Sequence, residues 1–414
     1  MGRITELIDK KCPNGVPYRR FDEVCTLNAR IGWQRLTKAE YKQSGEYMLI
    51  TETDFTAEHT INFDTCVYVS EDRYLQDKKI QLKDGDILIT KDGTIGKVAQ
   101  VAGLTMPATL NGGVFVVRPK NDDIDNRFLL HFLLSGHFQR VVDQQKTGST
   151  ISHLTQGLFS RLEIPVPPLD VQKEIVKVLD VFEESTIALN KELLNECSAR
   201  RKQYRYYLNS FFDNQEGNLK PLSKVGTMTR GKRFVHKDAV DEGVPCIHYG
   251  EIYTHYGVYA DSVKSHIREE LGPKMRYAHS GDVIIVGAGE NNIDIGIGVA
   301  WEGKEDVAVH DACYTYSHEE NPRYISYYLR SDMYHKQIKR FVSEGKICSI
   351  SAENLGKALI PIPAMTYQVR VVELLSKLEK QSTEIEIELV KETEVREKQY
   401  RYYRDRILDF KKEA

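Results

Sequence analysis

KQYRYY, at Lys202–Tyr207, returns unchanged at Lys398–Tyr403, an offset of 196 residues in a chain of 414. Internal repeats outrank local patterns when a fold is read from sequence, because each copy is one structural unit. The same offset holds upstream without a gap. Ile164-Pro165-Val166-Pro167 matches Ile360-Pro361-Ile362-Pro363, Gln172 matches Gln368, Leu179 matches Leu375, and Leu193 matches Leu389. Farther back, Phe128-Leu129 faces Tyr324-Ile325, Leu133 and Ser135 face Leu329 and Ser331, and Gly85-Asp86-Ile87-Leu88-Ile89 faces Gly281-Asp282-Val283-Ile284-Ile285. Residues 26–65 and 227–265, by contrast, share little beyond their length. The chain is a duplicated frame carrying two different inserts.

The frame ends in helices. Residues 169–212 and 365–410 contain neither proline nor glycine and start just after Pro168 and Pro363. Apolar residues recur at Ile175, Leu179, Phe182, Leu189 and Leu193, and again at Val371, Leu375, Leu378, Ile385 and Leu389. This alternation of threes and fours is a coiled-coil seam. Its polar interruptions match too: Thr186 with Ser382, Glu196 with Glu392, Arg200 with Arg396. Matched interruptions predict that the two helices pair in one register, antiparallel because a globular domain connects them. At ~1.5 Å per residue each would be a rod of roughly 65 Å. Packing of each helix on its own domain is the alternative.

Composition fits a soluble globular protein of two or three domains, with 41% hydrophobic and 28% charged residues. No apolar run is long enough to span a membrane, and MGRITELIDKKCPNG lacks the apolar stretch of a signal peptide. Seven scattered cysteines without a CxxC pair argue against a disulfide framework or zinc site and for a reducing cytoplasm. A net charge of −3 excludes the uniformly basic type of nucleic-acid binder; positive charge would have to be concentrated on one face by folding.

The divergent regions read as mixed α+β. Strand-like segments fall at 46–51, 81–90, 113–118, 244–249 and 281–286, and helices at 126–142 and 322–342. Clusters of contact-forming residues punctuate them. In the first region these are Arg30, Trp33, Gln34 and Arg35, then Lys91, Thr94 and Lys97, then Lys146, Thr147, Ser149 and Thr150. In the second they are Arg230, Lys232, Arg233, His236 and Lys237, then His248, Tyr249 and Glu251, then Asn291, Asn292 and Lys346. Arginine and lysine suit guanine and phosphate, asparagine and glutamine suit adenine, and glutamate can accept from cytosine. Ordinary solvated loops are the competing reading of any single member. The repeated hexapeptide offers a second surface of Lys202, Tyr204, Arg205 and Tyr207, with Lys398, Tyr400, Arg401 and Tyr403. Tyrosine and arginine are enriched at interfaces, although tyrosines packed at a helix end would look the same.

Catalytic patterns were sought and none stands. Asn321-Pro322-Arg323-Tyr324 superficially matches an adenine-methyltransferase motif but lacks its second proline, and asparagine as N-cap with proline at N1 explains it better. Glu302-Gly303-Lys304 with Asp282 could mimic a nuclease set, yet the first half has no carboxylate opposite Glu302. Gly287-Ala288-Gly289 does not continue as GxGxxG, and GxSxG, HExxH and Walker A sequences are absent. No metal site is expected in this chain.

The duplicated blocks ISHLTQGLFSRLEIPVPPLDVQKEIVKVLD (151–180) and ICSISAENLGKALIPIPAMTYQVRVVELLSKLE (347–379), each following a GDILIT-like strand and leading into a helix that ends in KQYRYY, resemble the specificity subunits of type I restriction–modification systems. The resemblance covers essentially the whole chain. It departs at Ala364, opposite Pro168, and at Val369-Arg370, opposite Lys173-Glu174. It implies an α+β chain with an internal pseudo-twofold repeat: two mixed α/β target recognition domains separated by a long antiparallel two-helix coiled coil. The segments would be 1–150 and 213–346 for recognition, with 151–212 and 347–414 as junctions and spacer helices. Each domain would read one half of a bipartite asymmetric site in double-stranded DNA, and the helices would set the gap. The resemblance further implies no chemistry in this chain. Two methyltransferase subunits, and restriction subunits in the full complex, would bring S-adenosylmethionine, ATP and magnesium. A non-enzymatic protein-binding scaffold is the alternative. If the domains are modular, exchanging residues 30–146 for another sequence changes one half-site only, as read by mapping methylated adenines; a change in both halves would sink modularity.

Overall fold

The computed structural model describes residues 2–146, 154–159, 161–213 and 219–413. It divides into two compact units, Met1–Leu193 with Val390–Ala414, and Leu194–Leu389. These cut across the chain-order segments expected from the repeat. Each long helix starts in the core of one unit and ends in the core of the other.

In the first unit, a four-stranded antiparallel sheet runs in the order Cys25–Ala29, Val114–Pro119, Ile87–Thr90, Val98–Gln100. A three-stranded sheet orders Val67–Val69, Tyr47–Ile50, Ala108–Leu110, and its last pair is parallel. Strand Ile87–Thr90 is buried at every position, and alternation explains why. Ile87 and Ile89 pack toward Phe128, Leu129 and the helices, while Leu88 packs toward Met48, Ile50 and Leu110 of the second sheet. Successive strand residues face opposite sides, so a strand sandwiched between two layers is apolar on both faces, and its one polar member, Thr90, gives its hydroxyl to Thr94 O. The C-terminal segment closes this unit. Val16 N–H donates to Lys411 O at 2.8 Å, and Glu413 N–H donates to Val16 O at 3.0 Å.

The second unit repeats the plan with longer edges. One five-stranded sheet orders Gly226–Arg230, Cys313–His318, Val283–Val286, Gly298–Trp301, Tyr259–Ala260. The other orders Ala239–Val240, Ser265–Ile267, Val244–Ile247, Val307–Val309, Tyr277–Ala278, with Val244–Ile247 and Val307–Val309 parallel.

Each single helix expected before the junctions is broken. Residues 126–142 form Asn126–Leu134 and Gly136–Lys146. Residues 322–342 form Pro322–Tyr328, Asp332–Ile338 and a 3-10 turn. The break falls at matched serines. Ser135 Oγ donates to Phe132 O at 2.6 Å and Ser331 Oγ to Tyr328 O at 2.7 Å; Ser331 also caps the next helix. Serine competes with the helical backbone in this way. Asn321 is an N-cap with proline behind it, and Glu302 is held bidentately by Arg323 at 2.7 and 2.6 Å, so both catalytic look-alikes are structural.

The long helices are Leu169–Asp213 and Met365–Ile407. Val171, Ile175 and Leu179 are buried in the first core, and Val371 and Leu375 in the second. The opening seam positions therefore pack into domain cores, which also take in the far end of the other helix, Ile407 in the first and Leu208 and Phe212 in the second. Beyond them the helices run antiparallel within each unit. In the first unit Phe182 stacks on Tyr403, with ring centroids 5.8 Å apart. In the second Arg201 grips Glu386 at 2.9 and 3.0 Å. The matched polar interruptions pair along their own helix, Arg200 with Glu196 at 2.8 Å and Arg396 with Glu392 at 2.7 Å.

The junction is fixed by two fully buried glutamines. Gln172 Oε1 accepts from Asp125 N–H at 2.7 Å, and its Nε2 donates to Pro167 O at 2.7 Å and Asp123 O at 2.9 Å. Gln368 Oε1 accepts from Asn321 N–H at 3.0 Å, and its Nε2 donates to Pro363 O at 3.0 Å and Glu320 at 2.6 Å. Each glutamine ties the proline loop to the residue that caps the domain helix. Replacing Gln172 or Gln368 by methionine fills the same space but strands a buried N–H and carbonyl. Each variant should lose ~1–3 kcal/mol in urea unfolding; an unchanged midpoint would refute the clamp.

Burial holds the pKa of His248, His310, His318 and His335 below the ordinary 6.5, all in the second unit, whereas among the described residues of the first only His59 is so shifted. A depressed folded pKa means the unfolded chain takes up protons first as pH falls. Stability is thus fully present above about 6.5 and is lost on acidification through the folded values. Hydrogen exchange, corrected for intrinsic rates, should show the second unit losing protection before the first between pH 7.5 and 5.5.

Candidate nucleic-acid interface

A parallel strand pair leaves both carboxyl ends at one edge, where open sheets present their binding residues. In the first unit Ile50 lies opposite Leu110, so Thr51-Glu52 and Asn111 emerge side by side. Asn111 N–H donates to Ile50 O at 3.0 Å. Its Oδ1 accepts from Gly113 N–H at 2.9 Å and its Nδ2 donates to Glu52 Oε2 at 2.8 Å. Asp54 accepts from Thr51 N–H at 2.7 Å and closes the turn. Burial, aided by the Glu52 charge, raises the pKa of the neighbouring Tyr41 hydroxyl. The Lys91–Lys97 loop borders this edge. Lys91 N–H donates to Gly113 O at 2.8 Å and its Nζ lies 5.4 Å from the Phe115 ring centre. Thr94 and Lys97 are exposed. Gly96 adopts φ +81, and a Cβ there would meet Val142 at 2.6 Å.

The second unit builds the same edge from other side chains. Ile247 lies opposite Val309, so His248-Tyr249 and His310 emerge together. His310 N–H donates to Ile247 O at 3.3 Å. Its Nδ1 accepts from Ala312 N–H at 3.1 Å, as Asn111 Oδ1 accepts from Gly113, so the other nitrogen carries the proton donated to Phe234 O at 3.1 Å. The His248 ring lies 4.6 Å from His310 and 4.4 Å from Tyr249. Arg230, Lys232, Arg233, His236 and Lys237 run past this cluster, all exposed. Lys232 bridges to His310, Arg230 Nε donates to Asp311 O at 2.7 Å, and Arg276 donates to Arg230 O at 2.6 Å. Gly231 is required there, because a Cβ would sit 2.2 Å from His310 O. Exposed cations thus rim a cluster that can exchange hydrogen bonds.

The structure separates the expected contact residues. Lys91, Thr94 and Lys97 lie in the loop beside the first edge, and Arg35 is exposed. Arg30 and Gln34 are buried. The Arg30 guanidinium donates to Leu110 O at 2.9 Å and Gln76 at 3.0 Å, and Gln34 Oε1 accepts from Ile31 N–H at 3.3 Å. Both brace the loop from inside. Glu251 is likewise internal, accepting from His248 N–H at 3.0 Å and from Ser265. Asn291 holds its own turn through Asp294 at 2.7 Å, and Asn292 donates to Glu344 at 3.1 Å in the loop bearing exposed Lys346. Thr147, Ser149 and Thr150 lie outside the described residues, as do the side chains of Trp33 and Lys146. Sequence reasoning missed Glu52, Asn111 and His310. Their one signal was position, the first or second residue after a short apolar run.

On the hexapeptides, Tyr204 packs against the second core. Tyr400 is buried, which pushes its hydroxyl pKa up to about 12. Arg205 is held by Asp332 at 3.1 and 2.5 Å. Arg401 donates to Glu397 O at 3.4 Å within its own helix. Lys202 and Lys398 are exposed, as are Tyr207 and Tyr403, but Tyr206 and Tyr402 are the most exposed tyrosines of the two copies, at 69% and 58%. The tyrosine predicted first in each copy is structural, and the middle one faces out.

His131, Asp180 and Glu183 place ligand-type atoms within 4.8 Å of one another. Arg127 donates to Asp180 at 2.7 Å and also to Glu183. The guanidinium already supplies the positive charge that a metal ion would. The matching positions in the second unit hold Tyr327, Ser376 and Glu379, where the tyrosine hydroxyl bonds Ser376 at 3.0 Å and Glu379 at 2.8 Å.

The family model described as "Type I restriction modification DNA specificity domain" matches residues 13–198 and again 214–394. A Haemophilus influenzae protein named as a type I restriction enzyme specificity subunit is 30% identical over 308 residues, covering 72% of this chain and 76% of that protein. The EcoR124I/EcoR124II specificity subunit of Escherichia coli is 28% identical, covering 61% and 65%. Among solved structures, a chain of a type I restriction–modification system, solved in work on complex assembly and conformational transition, superposes with a TM-score of 0.72 at 15% identity, covering 96% of this chain and 98% of that one. The HsdS subunit from Thermoanaerobacter tengcongensis gives 0.54 at 15% identity, covering 96% and 97%. These structural likenesses bear on fold. With two matched copies of the domain on one duplicated frame, the chain belongs to the type I restriction–modification DNA specificity family.

Proposed function

We propose that this chain is the DNA sequence-recognition subunit of a type I restriction–modification complex, and that each globular domain reads one half of a bipartite, asymmetric site. One observation carries this reading. The same backbone edge, with the same strand register and the same side-chain-to-turn hydrogen bond, bears Glu52 and Asn111 in one unit and His248, Tyr249 and His310 in the other. Identical frames with different reading edges produce a non-palindromic site. Lys91 and Lys97 on one rim, and Arg230, Lys232, Arg233 and Lys237 on the other, suit phosphates, which position a protein on DNA without specifying sequence.

In this reading residues 1–150 and 213–346 recognise DNA, while 151–212 and 347–414 form the junctions and spacer. The chain itself does no chemistry. Two methyltransferase subunits, with S-adenosylmethionine, and restriction subunits, with ATP and magnesium, would assemble on it in the cytoplasm. Exposed Leu194 and Tyr206 on one helix, and the matching Val390 and Tyr402 on the other, supply equivalent apolar contacts for two copies of one partner. The helices set the gap between half-sites, as rigid connection does for other two-site readers. Removing one heptad from the middle of each helix should shorten the methylated motif's non-specific gap and leave both half-site sequences intact. An unchanged gap would show that the helices are not the ruler.

A further inference from the structure

We propose that Glu52 is a specificity-determining residue of the first domain, and that it accepts a hydrogen bond from the exocyclic amino group of a cytosine or adenine in the major groove. The inference rests on the DNA-recognition reading above and assigns one residue a chemistry within it.

Three observations converge on Glu52. First, it stands at the carboxyl edge of the parallel pair Tyr47–Ile50 and Ala108–Leu110, beside the loop carrying Lys91, Thr94 and Lys97. Second, it is braced. Asn111 Nδ2 donates to Glu52 Oε2 at 2.8 Å, while Asn111 itself is 8% exposed and locked by its backbone bond to Ile50 and its side-chain bond from Gly113. The bracing fixes the carboxylate plane. The second oxygen of Glu52 has no hydrogen-bond partner given among the described residues, and the residue is only half-buried. Third, the capping task of this turn belongs to Asp54, which takes Thr51 N–H at 2.7 Å. The turn does not need Glu52, which distinguishes it from Glu251, the capping carboxylate of the second unit.

Charge decides what such an oxygen can meet. A carboxylate repels phosphate, so on a DNA-facing edge it is tolerated where a base presents a donor. In the major groove cytosine N4 and adenine N6 are donors, whereas guanine O6 and thymine O4 are acceptors. A fixed carboxylate therefore selects amine-bearing bases and rejects keto-bearing ones. The second unit places Tyr249 and His248 at the matching edge, a pair that can donate, so the two heads carry different hydrogen-bond logic on one frame.

The test uses the full chain assembled with its methyltransferase partners, with modified sites mapped for wild type, Glu52→Gln and Glu52→Asp. Wild type should require cytosine or adenine at one position of one half-site, and which of the two it requires identifies the amine. Glu52→Gln keeps the acceptor for Asn111 and the side chain's shape but adds donors. At that position alone it should admit guanine or thymine, with discrimination falling roughly tenfold or more. Glu52→Asp retains the charge and should keep the amine-bearing base, with weaker modification. An unaltered motif in Glu52→Gln overturns the assignment while leaving the recognition reading intact. Loss of both half-sites together, or a lowered melting temperature of the glutamine variant, would make Glu52 structural and overturn it as well. A wild-type complex that shows no bipartite motif removes the recognition reading and this inference with it.

Discussion

Two buried glutamines hold the frame together. Gln172 and Gln368 each join the cap of a domain helix, 47 residues away in sequence, to the proline loop and the first turn of a long helix. Buried polar groups need partners, and a side-chain amide can supply one acceptor and two donors at once. No apolar residue could close that set. The angle at which each domain meets its own helix is thereby fixed by hydrogen bonds, and the apolar residues around it supply bulk stability rather than direction.

With that joint fixed, the domains were free to diverge elsewhere. The sheets keep their order and the parallel pair keeps its register, because the middle strands are packed on both faces and accept mainly apolar side chains. Side chains beyond the strand ends escape this constraint. They need to satisfy only one local demand, a hydrogen bond to the N–H two residues on. Asn111 meets it with an amide oxygen and His310 with an imidazole nitrogen. The remaining polar atoms of those side chains bond different partners, the Glu52 carboxylate in one unit and the Phe234 carbonyl in the other. A fold that separates a packed frame from a loosely constrained edge can change what it binds without changing how it folds.

The same economy governs the charged residues beneath the domains. Arg127 and Arg323 occupy matched helix positions, yet one bonds Asp180 and Glu183 and the other bonds Glu302. His131 and Tyr327 likewise share a position and differ in chemistry. Each arginine is paired within its own unit, and each network would be damaged by transplanting one member from the other half. The duplication therefore persists in backbone geometry and hydrogen-bond topology more than in residue identity.

The repeat, both long helices and their start after proline were legible in the sequence, because periodicity and a constant offset are properties of the chain itself. The asparagine–proline cap was legible for the same reason. The seam has two kinds of cover: Ile175, Leu179, Val371 and Leu375 are buried in domain cores, whereas Phe182 meets Tyr403 of the other helix, and spacing cannot say which surface covers a helix face. Arg30 and Gln34 were read as contact residues because a charged or amide side chain in a loop carries no mark of burial. Glu52 and Asn111 lie 59 residues apart, joined by a parallel strand pairing that leaves no local pattern. The sequence by itself determined a duplicated helical frame with two unlike inserts. Only tertiary structure decided which side chains of the inserts stand together at an edge, because hydrogen bonding between distant strands, not local propensity, puts them there.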